Sequence, residues 1–317
     1  MLSEDIEKLF CCPVCKSKIE RNGEQFFCVS TKCGKHYPVI DGIPILINED
    51  ASVFLISDFV SRRQTTFDLE ANKGVKGFLN RIIPDIGKNL ASKENCEKFV
   101  ELLTKESSKP KVLVLGSGII GSGLESLLEI ESIDLVETDV ALGPRIKLIC
   151  DAHDIPFAND SFDAVIVQAV LEHVADPNKC AGEIYRVVNN EGLVYADTPF
   201  MQQVHLREYD FTRFTFLGHR RLFRGFEELY SGISCGPGMA LSWSYQYFLL
   251  SFTTSSILRK FIVFFASMTS FFLKYFDYYL IKKTGSIDAA SSFYFIGRKG
   301  KHILSDRELI KKYKGAF

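Results

Sequence analysis

The sequence lacks a surplus of charge of either sign: 38 lysines and arginines stand against 39 aspartates and glutamates, a formal net charge of −1. That balance excludes a global basic surface of the kind that drives non-specific nucleic-acid binding, although it leaves a nucleic-acid substrate open. No apolar stretch precedes Cys11, and Met1-Leu2-Ser3-Glu4-Asp5 is polar and acidic. The start therefore does not read as a secretory signal, and a cytoplasmic protein is expected. No uninterrupted apolar run reaches the roughly 18 residues that mark a spanning helix. Internal repeats and low-complexity tracts are missing too.

What is present is enough for a full core. At 317 residues and 46% hydrophobic, the chain is too long for one small domain, and one large α/β domain with at least one appendage is expected. Of nine cysteines, four cluster at metal-ligand spacing and the rest are scattered, which fits reduced thiols with one metal site better than disulfides. Residues 1–48 form a cysteine-bearing segment, and 49–109 a linker and helical cap. From 110 to about 300, strands alternate with amphipathic helices, the pattern of a parallel sheet covered on both faces. Strands are expected at Lys111 to Leu115, Ile133 to Thr138, Lys147 to Cys150, Ala164 to Gln168 and Leu193 to Asp197. Further on come a helix at Arg220 to Leu229, strands at Tyr230 to Cys235 and Ser292 to Gly297, and a tail from 301 to 317.

A Phe-rich insertion, about 237–290, precedes the last strand. Its apolar centre, Phe261 to Leu273, is flanked by Arg259, Lys260, Lys274 and Asp277. Three readings stay open: a helical lid or oligomer contact, a peripheral membrane contact through about 255–281 with basic residues at headgroup level, and a true span.

Cys12-Pro13-Val14-Cys15 and Cys28-Val29-Ser30-Thr31-Lys32-Cys33 are two pairs separated by a hairpin-length stretch. Four thiolates suit tetrahedral zinc, and a site closed by four of them is structural because no position is left for substrate. Cys11 reads as a bystander. Cys12 to Leu46, with its closing Tyr37-Pro38-Val39-Ile40-Asp41-Gly42-Ile43-Pro44-Ile45-Leu46, resembles the small zinc-ribbon activating partner of tRNA- and protein-modifying methyltransferases. That resemblance implies a docking or stabilising module. The second pair departs from it, with four intervening residues where two are commoner.

Val112 to Leu115 leads into Gly116-Ser117-Gly118-Ile119-Ile120-Gly121-Ser122-Gly123, with a helical face at Leu124, Leu127 and Leu128. Such glycines let backbone pass close to a ligand, but the motif alone is shared by dinucleotide and adenosylmethionine binders. Asp139 supplies the carboxylate expected for ribose hydroxyls, with Glu137 nearby. The run from Asp151-Ala152-His153 through Pro156-Phe157 and Ser161-Phe162-Asp163 to Gln168 and Leu171-Glu172-His173-Val174 resembles the third-to-fourth strand region of class I S-adenosylmethionine-dependent methyltransferases. The resemblance implies a Rossmann-like α/β fold with a seven-stranded sheet. It places Asp151, Ala152 and His153 at adenine and Gln168 near the methionine moiety. Gly116, Ser117, Gly118, Gly121 and Asp139 complete the expected cofactor set. Val114 stands where the family carries an acid, and Gly121 falls one residue late.

Polar, titratable and aromatic residues concentrate after the fifth expected strand, Thr198 to Thr215 and Gly218 to Arg221. An alcohol acceptor needs a base, for which His205 is the first candidate, with Asp210 or His219 orienting or substituting; Arg213 suits an anionic acceptor. The bland readings are that His219 caps a helix, that Asp210 and Arg213 pair structurally, and that His173 fixes a helix start. This segment resembles methyltransferases of bacterial surface-polysaccharide and glycan assembly, which implies a glycan or lipid-linked sugar acceptor. Two other functions compete: a nicotinamide-dependent oxidoreductase, and a non-catalytic cofactor-binding scaffold kept open by Val114.

Overall fold

The computed structural model describes residues 2–61, 83–118, 121 and 123–316. The centre of the expected linker and cap, 62–82, lies outside the described residues, as do Ile119, Ile120 and Ser122 of the glycine loop.

The cysteine-bearing segment is a four-stranded meander: β1 (Ile19–Asn22), β2 (Gln25–Cys28), β3 (His36–Ile40) and β4 (Ile43–Leu46). Asp41 and Gly42 turn β3 into β4 with φ of 51° and 81°, the left-handed pair that a two-residue hairpin requires. The large domain supplies β5 (Lys111–Leu115), β6 (Asp134–Asp139), β7 (Leu148–Cys150), β8 (Phe162–Gln168) and β9 (Val188–Pro199), all parallel, in the order β7-β6-β5-β8-β9. Beyond β9 the sheet ends in two antiparallel strands, β11 (Ser292–Lys299) and then β10 (Phe226–Cys235).

Strand side chains alternate between two cores, with Leu113, Val165 and Val194 on one face and Val112, Ala164 and Leu193 on the other. Helix Pro177–Val187 starts where Asp176 accepts the Lys179 N–H at 3.0 Å and Pro177 takes a first-turn position that needs no donor. It buries Cys180, Ile184 and Val187 on the first face. Helix Ser92–Glu106 buries Cys96, Phe99 and Leu103 on the second, where each fully buried side chain of the size of Phe99 contributes about 1.5–3 kcal/mol.

The seven-stranded methyltransferase-type sheet does not stop at β7. Strand β4 pairs in parallel with it, Ile45 opposite Ile149 and Leu46 opposite Cys150, so the ribbon extends the sheet to eleven strands. Phe10 bridges Phe157, their rings 5.2 Å apart, and also meets Phe26 at 5.4 Å. Ribbon and large domain thus share one buried core.

Two expected helices change. The segment after the glycine loop is a single 3-10 turn, Glu125–Glu129, in which Leu124 and Leu127 are buried but Leu128 is exposed. The helix expected at Arg220 to Leu229 lies earlier, at Phe216–Leu222, because Thr215 caps it by accepting the Gly218 N–H at 3.1 Å. Pairing with β11 then claims the chain as strand from Phe226 onward. The insertion is three helices, Pro237–Leu250, Ser256–Ser270 and Leu273–Leu280, ending in a 3-10 turn, Thr284–Ala289. Among the described residues no single helix is long and apolar enough to cross a membrane, although Ser256–Ser270 and Leu273–Leu280 together reach that length with a 47° bend.

Candidate functional site

Strand order reverses at β5, which has β6 on one side and β8 on the other. Loops leaving a parallel sheet at such a point diverge and open a crevice beyond the carboxyl ends of the strands. A cavity of about 300 Å³ lies there, lined by the ends of β5 through β8. The structure brings together at its wall Gly116, Gly121, Asp139, Asp151, Ala152, His153 and Gln168.

Gly116 holds φ +72°, and a Cβ there would sit 2.3 Å from Val170 Cγ2, so a side chain would both strain the turn and fill the cradle. Gly118 donates its N–H to Asp139 Oδ2 at 2.7 Å. Ser117 turns the other way, its N–H and hydroxyl both donating to the Thr138 carbonyl at 3.0 and 3.2 Å. Glu137 pairs with Arg145 at 2.8 Å, and Arg145 donates to the Ser117 carbonyl at 3.0 Å, so this carboxylate braces the loop from behind. Asp139 is left as the acid facing the cavity, its pKa raised by burial.

Asp151 accepts three hydrogen bonds: the His153 N–H at 2.9 Å and ring Nδ1–H at 2.5 Å on Oδ1, and the Ser52 hydroxyl at 2.5 Å on Oδ2. A carboxylate has about four lone-pair sites, so Oδ2 keeps one for a ligand amine. Burial pushes the Asp151 pKa up, but these bonds outweigh it and hold it below its ordinary value. The His153 ring is committed at both ends, since Nε2 accepts the Asp176 N–H at 3.0 Å. It therefore orients Asp151 and offers the cavity only its face.

The loop after β9 forms the other wall, contributing His205, Leu206, Tyr209 and Phe211, with His173 behind. Asp210 does not line this cavity. It takes both Arg213 guanidinium nitrogens and the His205 backbone N–H, the last at 2.8 Å. Burial would raise its pKa, but Arg213 brings it down to about 2. Arg213 spends its remaining donors on the carbonyls of Gln202, Thr212 and Gln203, so the expected clamp on an anionic acceptor is corrected to a loop brace. His219 is also corrected: it lies outside the cavity, 2% exposed and edge-on to Phe223 at 5.5 Å, its pKa brought down to about 3 by burial.

Sequence reasoning missed Ser52 and Phe54, which follow the ribbon; Ser52 bonds Asp151, and Phe54 lines the cavity, stacks on Tyr209 at 5.7 Å and closes one side. Nothing in that polar stretch distinguishes them. It also passed over Glu172, which is 1% exposed, has no hydrogen-bond partner at either carboxylate oxygen among the described residues, and is pushed up to about 8 by burial.

At the ribbon tip the sulfurs of Cys12, Cys15, Cys28 and Cys33 lie within 4.8 Å of one another. Cys12 and Cys33 are 3.7 Å apart and Cys15 and Cys28 3.4 Å, while the Tyr37 hydroxyl is 3.1 Å from Cys12 Sγ. The longer spacer between Cys28 and Cys33 folds into a turn, closed by the Cys33 and Gly34 N–H groups on the Ser30 carbonyl at 3.0 and 3.1 Å. Cys11 faces away, its N–H donating to the Pro156 carbonyl at 3.0 Å.

Residues 76–196 match the family described as Methyltransferase domain. A tRNA U34 carboxymethyltransferase of Campylobacter fetus is 26% identical over 181 residues, 51% of this chain and 58% of its own length, so the chain spans less than two thirds of that relative. A UPF0434 protein of Pseudoalteromonas translucida is 41% identical over 44 residues, 14% of this chain and 68% of its own; over that stretch the chain belongs to the UPF0434 proteins. Phosphoethanolamine N-methyltransferase 2 of Haemonchus contortus, solved with S-adenosyl-L-methionine, is 16% identical at a TM-score of 0.43, covering 79% of this chain and 61% of that one.

Proposed function

The chain carries a class I S-adenosylmethionine-dependent methyltransferase domain, and from that premise we propose that it methylates a hydroxyl of a glycan or lipid-linked sugar presented at a membrane surface. Bound S-adenosylmethionine supplies the sulfonium methyl. Asp139 accepts hydrogen bonds from its ribose hydroxyls, Asp151 and Ala152 meet its adenine, and Gly116, Gly121 and Gln168 border its amino-acid end. Holding the acceptor oxygen in line is then most of the task.

The observation that carries the acceptor reading is the junction between the cavity's outer wall and the helical insertion. Tyr247 donates its hydroxyl to the Val204 carbonyl at 2.8 Å, Gln203 bonds Ser244 at 3.1 Å, and Trp243 lies 6.4 Å from the His205 ring. The loop bearing His205 is thus seated on an insertion whose outer face is Phe261, Phe264, Phe265, Phe272 and Phe276, all exposed. A face of that composition suits the acyl boundary of a bilayer, with Arg259, Lys260 and Lys274 at headgroup level. A lipid-linked acceptor held there reaches the cavity without leaving the membrane. His205 handles its proton, its ring held at the cavity wall with Nδ1 3.2 Å from the Gln203 carbonyl, 3.4 Å from Arg213 Nη2 and 3.5 Å from Asp210.

A zinc ion held by Cys12, Cys15, Cys28 and Cys33 stabilises the ribbon, and the ribbon stabilises β7 in cis, where Asp151 begins. Radiolabelled cofactor incubated with fractionated cell extract tests the reaction. Label is expected in the lipid or glycan fraction, and His205→Ala should slow it 10²- to 10⁴-fold with S-adenosylhomocysteine affinity unchanged. Label entering RNA or protein instead refutes the acceptor class, and unchanged turnover removes His205.

A further inference from the structure

The fully buried Glu172 carboxylate has no role in cofactor binding as described above, and among the described residues no hydrogen bond accounts for its burial. Its neighbours are two histidines. His173 Nε2 lies 3.7 Å from Glu172 Oε1, and the His173 and His205 rings meet edge-on at 4.9 Å. One ligand atom from each of the three side chains falls within 4.8 Å of the others. We propose that Glu172, His173 and His205 hold a divalent cation of the class that takes mixed nitrogen and oxygen ligands, such as Mn²⁺ or Zn²⁺, at the acceptor side of the cavity.

Each ligand is already oriented from behind, as metal-binding imidazoles commonly are. His173 Nδ1–H donates to the Tyr209 carbonyl at 2.8 Å, which fixes the tautomer and leaves Nε2 a lone pair. The His205 ring is held in place at Nδ1, which lies 3.2 Å from the Gln203 carbonyl, 3.4 Å from Arg213 Nη2 and 3.5 Å from Asp210. The two segments are tied together, because the Phe211 and Thr212 N–H groups both donate to the Glu172 carbonyl, at 2.8 and 3.1 Å. Ligand bonds of about 2.0–2.2 Å need donor atoms about 3–4 Å apart, within reach of small side-chain adjustments. Two histidines and one carboxylate leave positions open, and His173 and His205 border the cavity, so those positions face the acceptor. His173 does not serve Glu172 as a hydrogen-bond partner, its Nε2 standing 3.7 Å from Oε1. Arg213 does not serve either, its donors being committed to Asp210 and three carbonyls.

The chemistry rests on the methyl-transfer reading; the binding does not. A coordinated acceptor hydroxyl loses its proton to solvent water more readily. The oxygen lone pair then forms the new bond to the methyl carbon, the carbon–sulfur bond breaks, and its electron pair stays on sulfur as the neutral thioether. His205 acts in this case as a ligand, and solvent takes the proton.

The test is Mn²⁺ binding to the full-length protein with its ribbon already loaded with zinc, read by loss of the free Mn²⁺ paramagnetic resonance signal. One saturable Mn²⁺ per chain is expected, displaced by added Zn²⁺. Glu172→Gln and His205→Ala should each weaken it at least tenfold, with S-adenosylhomocysteine affinity unchanged. His205 is partly exposed, so its variant decides the matter even where the buried Glu172→Gln does not fold. Wild-type protein that holds neither a saturable Mn²⁺ nor a second Zn²⁺, or variants that bind Mn²⁺ like wild type, would overturn the site. Metal binding without methyl transfer would instead keep the site and remove the reaction.

Discussion

The ribbon and the helical insertion are both additions to the same sheet, and they are built inside out relative to each other. The ribbon turns its large side chains inward: Phe10, Phe26 and Tyr37 are 2% exposed or less and join the core of the large domain. The insertion packs its helices through small ones, Ser242, Ala266, Ser267 and Ser270, with the Ser242 hydroxyl donating to the Ser270 carbonyl at 3.1 Å. Its phenylalanines point outward. Small residues between helices and aromatics outside is the arrangement suited to an apolar surrounding. The first addition buries its aromatic side chains within the chain, and the second leaves them exposed.

The largest effect should come from breaking the first. Cys33→Ser removes one of the four thiols of the proposed zinc site, and zinc binding at four-thiolate sites carries about 10–16 kcal/mol of apparent free energy. Because β4 is the edge partner of β7, the loss does not stay in the ribbon. We expect loss of about one zinc per chain and a fall in Tm on the order of 10 °C. Ser52, which follows β4, bonds Asp151, so S-adenosylhomocysteine affinity should fall as well. Full zinc occupancy would refute the ligand set, and metal loss with unchanged Tm and affinity would show that the ribbon is an independent module.

The same contrast explains what the sequence disclosed. Hydrophobic runs buried on both faces gave β5, β6 and β7 to within a residue and the centres of β8 and β9, which start two and five residues earlier than expected, and paired cysteines gave the thiol cluster, because both signals are local. The Asp41-Gly42 turn was equally local, but the pairing of β4 with β7 joins residues about a hundred positions apart, and no spacing rule contains it. The acceptor wall was legible only in composition. His205 reached the cavity while His219, as polar and as near in sequence, was drawn into the core by Phe223 and the Thr215 cap. Glu172 was hidden inside a motif read for the cofactor, where its burial without a partner could not be seen.

A middle-sized effect should separate the insertion from the ribbon. Phe261, Phe264 and Phe272 are 63%, 43% and 47% exposed, so replacing all three by Ser removes little packing and should leave stability within about 1 kcal/mol. Binding to vesicles containing anionic lipid should nonetheless fall at least tenfold, because each side chain carries apolar area into the acyl boundary. Wild-type protein that ignores vesicles but forms oligomers broken by the same substitutions would assign the face to a second copy.

The smallest effect lies in the sheet that carries both additions. Asp197, at the end of β9, accepts the Ser234 hydroxyl at 2.8 Å and the Asn89 amide at 3.0 Å, yet burial pushes it up to about 7. Unfolded, it titrates near 3.8, so between about pH 4 and 7 the folded chain binds a proton that the unfolded chain has released. Stability attributable to this group is therefore complete below about pH 4, declines as pH rises, and is fully lost above about 7. Asp197→Asn cannot ionise but gives up one accepted hydrogen bond, about 1 kcal/mol. The variant should accordingly gain about 2–4 °C over wild type at pH 8 and match or fall slightly below it at pH 4. A gain that is equal at both pH values would mean that packing, and not the buried charge, separates the two proteins.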